Sequence, residues 1–500
     1  MENLASPPPA SAKENSVKRI LEWLALAHGR ATEDAEGLLQ QILDLRGAAV
    51  PLTQRVKLLD LLYAHADSIV QGELPRLRDL SLPISRKTRT RTRLLLDLLE
   101  TLAQDYFNNL AGLFDPTGKA MGSVPQASLR RATLSLSWQI RIHHLVASPP
   151  RPGLWQQLHA AYRTARRLGV TQIPGPRDGA SIEQLYIHAL LTAIAQPASF
   201  SSDELEFIHH YVEHAISPPA LSEHPSGDAD SLFWIDLDRD FPAHALIRRN
   251  PGSDIAPLYF SCGDAARQAA AHRQAIRAGQ SAASLGLPDF ADSHAGQGIL
   301  QRLESLWGKP SKRKFPRRRQ SYRANLCSGL DKLWYLLKKP DAELEGSEWM
   351  VINESPEGFA LMHMSGDTQD LRVGDIVALK PHRELETPTW HVCIIRWAIS
   401  ENPEHIELGL QLLAARAVSA EIVQPSETPG NRYSALILPE APPVRPHQAL
   451  LLRPGLIKEK KGRIVVLIER DNLEVREMQA TSLDEQTSAI EIFTVQPDEN

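Results

Sequence analysis

Apolar residues recur at intervals of three and four along residues 15–216, which is the period of α-helices that bury one face. Three such faces comprise Ile20, Trp23, Leu24 and Ala27, then Leu58, Leu62, Ala66 and Ile69, and then Leu95, Leu99, Leu102 and Tyr106. Ser201 and Ser202 stand before a stretch with acidic residues in its first turn, which is how a capped helix begins. We expect roughly seven to nine helices here, after a disordered leader at residues 1–14.

The predicted helical region is compatible with two architectures. Trp155, Leu158 and Tyr162 have the offsets of the first helix of a tetratricopeptide repeat. A second copy of this pattern does not recur at a fixed period along the chain. An all-α bundle and a degenerate helical-repeat domain are therefore both open for residues 15–216.

The pattern changes to strands and short helices after residue 216. Residues 217–230 are rich in Pro and Ser, as a linker is. Beyond it, short apolar runs are separated by Pro, Gly or charged residues, which is typical of antiparallel β-strands. The predicted divisions are a small α+β connecting region at 231–307, a basic connector at 308–323, a β-barrel at 317–425 and a C-terminal antiparallel β domain at 426–496. The expected fold class of the chain is multidomain α+β.

The composition is that of globular domains. Of the 500 residues, 42% are hydrophobic and 23% are charged, and the net charge is −5, so we expect about two to four domains and no general affinity for nucleic acid. The three cysteines, Cys262, Cys327 and Cys393, form neither a metal knuckle nor a disulfide framework, which favours a reducing compartment. No secretion signal is evident, and no apolar run approaches the ~18–20 residues that span a bilayer. A soluble, cytoplasmic protein is expected.

Two short motifs at the start of the predicted barrel carry the strongest candidate chemistry. Arg319 and Arg323 form RxxxR, and about thirty residues later Asn353, Ser355 and Gly358 form (D/N)xSxxG. Arginine meets phosphate oxygens two at a time and stacks on flat rings. The amide and the hydroxyl can read the edge of a base, and glycine lets the backbone turn close to it. The combination suits a planar, phosphorylated ligand.

These motifs and the strands after them resemble the PilZ domain, the bacterial receptor module for cyclic di-GMP. LRVGDIVALK at 371–380 is similar to a strand entry of such domains, and the segments at 390–398 and 406–413 look like their closing hairpin. The resemblance implies a six-stranded antiparallel barrel. It also implies a flexible arginine-bearing segment that folds over the barrel face and closes on the ligand.

The resemblance assigns the site residue by residue. Arg319 and Arg323 would bind the phosphates and stack on guanine, and Asn353, Ser355 and Gly358 would contact the ligand from the turn. Arg318 would be an auxiliary contact and Arg317 a weaker one. No cofactor is implied other than cyclic di-GMP as the ligand, and no catalytic residue.

The function expected from these residues is a cyclic di-GMP-binding effector that changes domain orientation or partner binding, with a protein partner on the helical domain. The signatures of nucleotide hydrolases, acyl hydrolases, diguanylate cyclases (GGDEF) and phosphodiesterases (EAL) are absent from the sequence, so an enzyme is not expected. Membrane insertion is not expected, and nucleic-acid binding is disfavoured. The alternative is an interaction scaffold whose barrel does not bind nucleotide.

Two clusters of candidate metal ligands lack residues that a metal site needs. Residues 236–240 resemble the start of a calcium loop, but Phe241 and Ile247 stand where Gly and Glu are required. His210 and His214 have helical spacing, without the Glu of a zinc motif or a further ligand. We expect exposed acids in the first case, a structural or surface role in the second, and no metal.

A basic stretch, RKTRTRTR at 86–93, opens one predicted helix. Positive charge at a helix N-terminus is mildly unfavourable because it opposes the helix dipole. The stretch is either a solvated or salt-bridged helix face or a surface for an acidic partner, and the sequence leaves both interpretations open.

Overall fold

The structure, a computed structural model, is helical in its N-terminal part and rich in strands in its C-terminal part. It describes all residues except 1–9, 27–30, 115–121, 177–178, 311–314, 340–345, 369, 383–388, 403–404, 424–430, 443–444, 458–462, 470–471 and 498–500. The helices of the first part are α1 (Ala10–Leu26), α2 (Ala31–Gly47), α3 (Leu52–Glu73), α4 (Arg86–Leu110), α5 (Val124–Leu145), α6 (Leu154–Arg167), α7 (Ile182–Ile194) and α8 (Ser202–His214). The helical N-terminal half predicted from the apolar spacing is confirmed.

Two of these helices begin with reciprocal caps. The Ser181 hydroxyl accepts from the backbone N–H of Gln184, whose side chain accepts from the backbone N–H of Ser181. The same arrangement joins Ser201 to Glu204, which confirms the predicted start of α8. Each cap satisfies two backbone donors that a helix start leaves unpaired. Because α1 begins at Ala10, the last part of the expected leader is helical, and residues 1–9 lie outside the described residues.

Helix α5 is the centre of the helical domain and packs against α4, α6, α7 and α8. In a repeat solenoid each unit contacts only its neighbours along the chain, so packing around one helix is that of an irregular bundle. Trp155, Leu158 and Tyr162, which have the repeat offsets, are buried on α6. Tyr162 stacks on Tyr186 of α7 with 4.3 Å between ring centroids. Their spacing therefore serves the bundle core.

A small α+β region follows the bundle. Its elements are β1 (Leu232–Ile235), β2 (His244–Ala245), β3 (Leu258–Ser261), α9 (Gly263–Arg277) and α10 (His294–Gly308), and its antiparallel sheet has the order β2-β1-β3. After β1, the Asp240 carboxylate accepts from the backbone N–H groups of Gly153 and Trp155 over 2.5 and 2.9 Å. One of the acids in the stretch at 236–240 therefore caps the start of α6.

Six antiparallel strands then form a closed barrel. They are β4 (Arg318–Ser328), β5 (Ser347–Ser355), β6 (Gly358–Ser365), β7 (Ile376–Pro381), β8 (His391–Asn402) and β9 (His405–Ala414), in the order β4-β5-β6-β9-β8-β7. Helix α11 (Leu330–Lys338) lies between β4 and β5 in the chain. Alternate side chains such as Ala324, Trp349 and Leu361 fill the interior. The six-stranded antiparallel barrel implied by the resemblance is confirmed.

A second closed barrel repeats this topology. Its strands are β10 (Val418–Val423), β11 (Arg432–Leu438), β12 (Ala449–Leu452), β13 (Arg463–Glu469), β14 (Leu473–Gln486) and β15 (Glu491–Pro497), in the order β10-β11-β12-β15-β14-β13. Each barrel, numbered from its own first strand, therefore has the order 1-2-3-6-5-4. The antiparallel C-terminal β domain expected from the sequence is a barrel of the same kind as the first.

Strand pairing moves two boundaries drawn from the sequence. Strand β10 pairs with β11 and β13, so the first barrel ends with β9, and the range 317–425 ran into the second barrel. Strand β4 already begins at Arg318, inside the connector expected at 308–323. Within that connector, residues 311–314 lie outside the described residues.

Helix α11 joins the two barrels. Leu333 and Leu336 of the helix are buried in one apolar core together with Leu436 and Leu451 of the second barrel. The Trp334 indole N–H donates to the backbone oxygen of Ala420 over 2.8 Å. An insertion in one barrel thus forms part of the core that it shares with the other.

Among the described residues, backbone hydrogen bonds join the helical domain to the first barrel at two places. Leu82 and Leu371 exchange two backbone hydrogen bonds of 2.8 and 3.1 Å. At the second place, the backbone N–H of Ser400 donates to the oxygen of Ala147 over 2.8 Å, and the Arg89 guanidinium donates to the backbone oxygen of Ser400 over 2.9 Å. The end of strand β8 is therefore attached to helix α4 and to the segment after α5.

Candidate functional site

The two arginines of the RxxxR motif lie on strand β4, and both are exposed. Arg319 stands opposite Asn353 of β5, and Arg323 stands opposite Met350. This pairing corrects the expectation of a flexible entry segment. Because β5 extends to Ser355, it offers β4 pairing partners as far back as Arg318, and the arginines belong to the barrel wall.

A row of paired residues connects the two motifs with the far side of the sheet. From strand to strand, the pairs are Arg319 with Asn353, Asn353 with Ala360, Ala360 with Gly409, and Gly409 with Trp397. Ala360 faces outward, because its neighbours Phe359 and Leu361 pack on the interior core. The row therefore runs over the outer surface of β4, β5, β6, β9 and β8.

Small residues in this row make room for a tryptophan. A Cβ atom on Gly409 would lie 1.8 Å from Nε1 of Trp397, so the indole ring rests on the glycine backbone. Ala360, next in the row, contributes one methyl group and is 1% exposed. With neighbouring strands ~4.8 Å apart, Gly409 lies about 10 Å from Asn353. A flat aromatic side chain thus stands within the span of a nucleotide from the polar end of the row.

Acidic residues of β5 hold the β4 side chains in place. The Nη1 of Arg323 donates to Oε1 of Glu348 over 2.9 Å. The hydroxyl of Tyr322 donates to the Glu354 carboxylate over 2.6 Å, and Nε2 of Gln320 donates to the same carboxylate over 3.1 Å. The face therefore carries its own anions, and a phosphate that reaches Arg323 must compete with Glu348.

The packing of the barrel explains why glycine stands at position 358. Ser355 pairs with Gly358 across a hairpin whose turn is Pro356 and Glu357. A Cβ atom on Gly358 would lie 1.9 Å from the backbone oxygen of Leu410 on β9. Glycine is required here for the close approach of β6 to β9, independently of the ligand contact that the resemblance implies.

The predicted site residues gather at one end of the barrel, with one exception. The gathered residues are Arg317, Arg318, Arg319, Asn353, Ser355 and Gly358. Arg318 stands opposite Glu354, and Arg317 is exposed immediately before β4. Arg323 lies four residues further along the strand, which at ~3.3 Å per residue is about 13 Å from Arg319.

Sequence reasoning missed Trp397, Ala360 and Gly409. None of the three belongs to a motif, and they come from three different strands. Only the register of β6, β8 and β9 brings them into one row with Asn353. The apolar alternation of the closing hairpin predicts the strands but not which of their residues face each other.

Several histidines of the helical domain are buried in its core, whereas His210 and His214 on α8 are exposed. His144 of α5 and His209 of α8 stack with 6.2 Å between ring centroids. Burial lowers the pKa of His144 to about 3 and holds the pKa of His209 well below its usual range, with a smaller contribution from Arg141 in the case of His209. Both rings are therefore neutral packing groups at pH 7. Across the described part of the chain, His, Cys, Asp and Glu form no group of three or more that could hold a metal ion.

No helix among the described residues combines the length and the apolar character needed to cross a membrane.

Comparison with known proteins matches both halves of the chain to one kind of receptor. Residues 17–224 match the family described as "Cyclic-di-GMP receptor FimW, N-terminal domain", and residues 338–418 match "Cyclic-di-GMP receptor FimW, middle PilZ domain". The cyclic-di-GMP receptor FimW of Pseudomonas aeruginosa is 21% identical over an alignment that covers 90% of this chain and 86% of the relative. The second match contains Asn353, Ser355, Gly358, Gly409 and Trp397, and it starts after β4. This chain therefore has a helical domain that matches the FimW N-terminal domain, followed by a barrel that matches the FimW middle PilZ domain.

Proposed function

We propose that the outer face of the first barrel binds cyclic di-GMP and that the chain is an effector of this second messenger. The observation that carries the proposal is the row from Arg319 to Trp397, which sets a guanidinium, an amide and an indole on one surface. The name of the Pseudomonas aeruginosa relative, a cyclic-di-GMP receptor, supports the choice of ligand.

Each part of the face has a role that fits the ligand's chemistry. Arg319 and Arg323 bind the phosphates through charge-assisted hydrogen bonds, with Arg318 as an auxiliary contact and Arg317 as a weaker one. Asn353 and Ser355 bind base edges beside the turn at Gly358. The Trp397 ring offers a stacking surface for guanine, as aromatic side chains do for nucleobases elsewhere.

We infer further that the chain is a receptor rather than an enzyme and that it meets its ligand in the cytoplasm. The receptor name of the relative supports the first inference. We expect the helical domain to bind a protein partner, because it is the largest part of the chain outside both barrels.

Isothermal titration calorimetry on the full chain tests the binding site. Wild type should bind cyclic di-GMP with micromolar affinity, and Arg319→Ala or Arg323→Ala should weaken binding by roughly tens- to hundreds-fold, since each removes charge-assisted bonds to a phosphate. Arg432→Ala is the matched control, because Arg432 is also an exposed strand residue paired with a glutamate, Glu421, but on the second barrel.

Two outcomes would contradict the proposal, and they are distinguishable. If wild type binds and both barrel variants keep its affinity, the ligand lies elsewhere on the chain. If folded wild type shows no saturable binding of cyclic di-GMP, the chain is an interaction scaffold with a PilZ barrel that does not bind nucleotide.

A further inference from the structure

The basic stretch at 86–93 forms one wall of a cavity between the helical domain and the first barrel. The cavity has a volume of about 500 Å³, within the range of roughly 300–1,000 Å³ typical of small-molecule sites. Arg86, Arg89 and Arg93 line it from the N-terminal part of α4, and His143 and Arg151 line it as well. Part of the basic stretch at 86–93, for which the proposed barrel site gives no explanation, thus lines this cavity.

One buried side chain of the cavity lacks polar partners. His143 is 5% exposed, and neither of its ring nitrogens has a hydrogen-bond partner among the described residues. Burial, with a smaller effect from nearby Arg151, lowers the pKa of His143 to about 4. The ring is therefore neutral at pH 7 and offers one N–H donor and one acceptor to whatever fills the cavity. Buried polar groups without partners are rare because they cost free energy.

Four arginines and one carboxylate, that of Glu401, line this cavity, so positive charge is in excess. Within the described part of the chain, Arg93 has no carboxylate partner, and it is exposed on the wall of the cavity. Arg151 is the exception, because it pairs with Asp97 and Glu100 over 2.7 and 2.5 Å. The start of a helix adds its own positive potential, so three arginines placed there raise the potential instead of offsetting it.

Arg89 and Arg93 differ in their contacts with the first barrel. Arg89 has a structural task, since it donates to backbone oxygens of Ser400 and Glu401 on strand β8. Arg93 makes no comparable contact with the barrel. An exposed arginine and a buried ring with two unpaired nitrogens in one cavity together offer hydrogen-bond donors to an anion.

We propose that this cavity is a second ligand site and that it takes a small molecule bearing phosphate groups. Arg93 and Arg86 bind the phosphate oxygens, and the N–H of His143 donates to the ligand. The site is separate from the barrel face. The two are connected through Arg89, which donates to the backbone oxygen of Ser400, three residues after Trp397 on β8. The ligand that carries these phosphate groups is either cyclic di-GMP itself or another phosphorylated metabolite.

Calorimetry on the full chain at physiological salt tests this site, with inorganic pyrophosphate as the probe. We expect one saturable pyrophosphate site per chain, weakened about tenfold or more by Arg93→Ala, since that change removes a charge-assisted contact. Arg167→Ala, at an exposed arginine at the end of α6, should leave the affinity unchanged. His143→Phe keeps a ring and removes both nitrogens, so it should weaken pyrophosphate binding while raising thermal stability, which a merely structural histidine would not do.

Titrations of GTP and of cyclic di-GMP into the Arg319→Ala/Arg323→Ala double variant identify the occupant. If the double variant still binds cyclic di-GMP, and if adding Arg93→Ala abolishes that binding, the cavity is a site for the messenger. If the double variant binds GTP more tightly than cyclic di-GMP, the cavity is a site for other phosphorylated metabolites. The proposal is overturned if folded wild type shows no saturable pyrophosphate binding. It is equally overturned if Arg93→Ala and Arg167→Ala bind pyrophosphate as wild type does.

Discussion

Arg323 and Glu348 form an ion pair across strands β4 and β5, with 2.9 Å between Nη1 and Oε1. The carboxylate occupies donors that a phosphate would use, so ligand binding must displace it. Exposed pairs of this kind contribute up to ~1 kcal/mol. Glu348→Gln should therefore tighten the binding of cyclic di-GMP by up to about fivefold, as measured by calorimetry.

The second barrel supplies the control for this change. Arg432 and Glu421 form a similar exposed pair at 3.2 Å on β11 and β10. Glu421→Gln removes the same charge from the chain but should leave the affinity unchanged. Equal tightening in both variants would mean that net charge, and not competition at Arg323, sets the effect.

Gly358→Ala should destabilise the first barrel even without ligand. Its Cβ would meet the backbone oxygen of Leu410 at 1.9 Å, and a backbone atom cannot rotate away. Overpacking of this kind costs about 1–3 kcal/mol, which chemical denaturation would detect as a lower free energy of unfolding. Loss of cyclic di-GMP binding in this variant is then no evidence that Gly358 contacts the ligand.

Gly72→Ala, near the end of α3, is the matched control for that substitution. A Cβ there meets nothing within 4 Å, and alanine is favoured over glycine in helices by up to ~1 kcal/mol. We expect unchanged or slightly increased stability. A stable, normally folded Gly358→Ala variant would show that β6 and β9 can separate without loss.

The buried histidines should make the helical domain sensitive to acid. In the unfolded chain His144 titrates near 6.5, and in the folded chain burial lowers its pKa to about 3. Between these values the unfolded chain binds more protons, so this group lowers the free energy of unfolding as the pH falls below 6.5. His144→Phe should remove that dependence. When the pH is lowered from 7 to 5, the free energy of unfolding of this variant should rise relative to that of wild type by about 1–2 kcal/mol. Denaturation at both pH values measures this difference.

Buried carboxyl groups titrate in the same pH range as the buried histidine. The contribution of His144 is therefore obtained from the difference between the unfolding free energies of the variant and of wild type at each pH. Burial raises the pKa of Asp375 to about 6, which by itself stabilises the fold as the pH falls from 6 to 4. The two effects oppose each other in the wild-type curve. A His144→Phe curve parallel to that of wild type would mean that the ring is protonated in the folded state.

Ligand binding should leave the domains in place. The barrel is held to the helices by the paired backbone bonds of Leu82 and Leu371 and by the contacts of Ser400 with Ala147 and Arg89. None of these contacts involves the arginines of β4. We expect small-angle scattering curves with and without saturating cyclic di-GMP to superimpose, so that the ligand acts through partner binding. A change in the radius of gyration would instead support reorientation of the domains.

Local patterns predicted the elements well, because helices and strands reflect the apolar period of neighbouring residues. The cap at Ser201, the barrel strands and the two motifs could all be identified from short stretches of sequence. The placement of Arg319 on a strand could not, since it depends on how far β5 extends on the other side of helix α11.

Contacts between distant segments set the remainder of the site. Trp397 joins Asn353 only through the register of three other strand pairs. His143 belongs to no sequence motif. Its ring nitrogens lack partners because the ring borders a cavity that residues of α4, α5 and β8 line. A single sequence contains no direct signal for such distances.

The position of helix α11 decides which pieces of this protein can be studied alone. Leu333 is fully buried between the barrels, and Leu436 and Leu451 of the second barrel share its core. A polypeptide that ends at Ala414 would leave this apolar surface in water, where it promotes aggregation. One that ends at residue 425 would in addition carry β10 without its partners β11 and β13. A fragment for ligand studies of the arginine face must therefore extend to the end of β15.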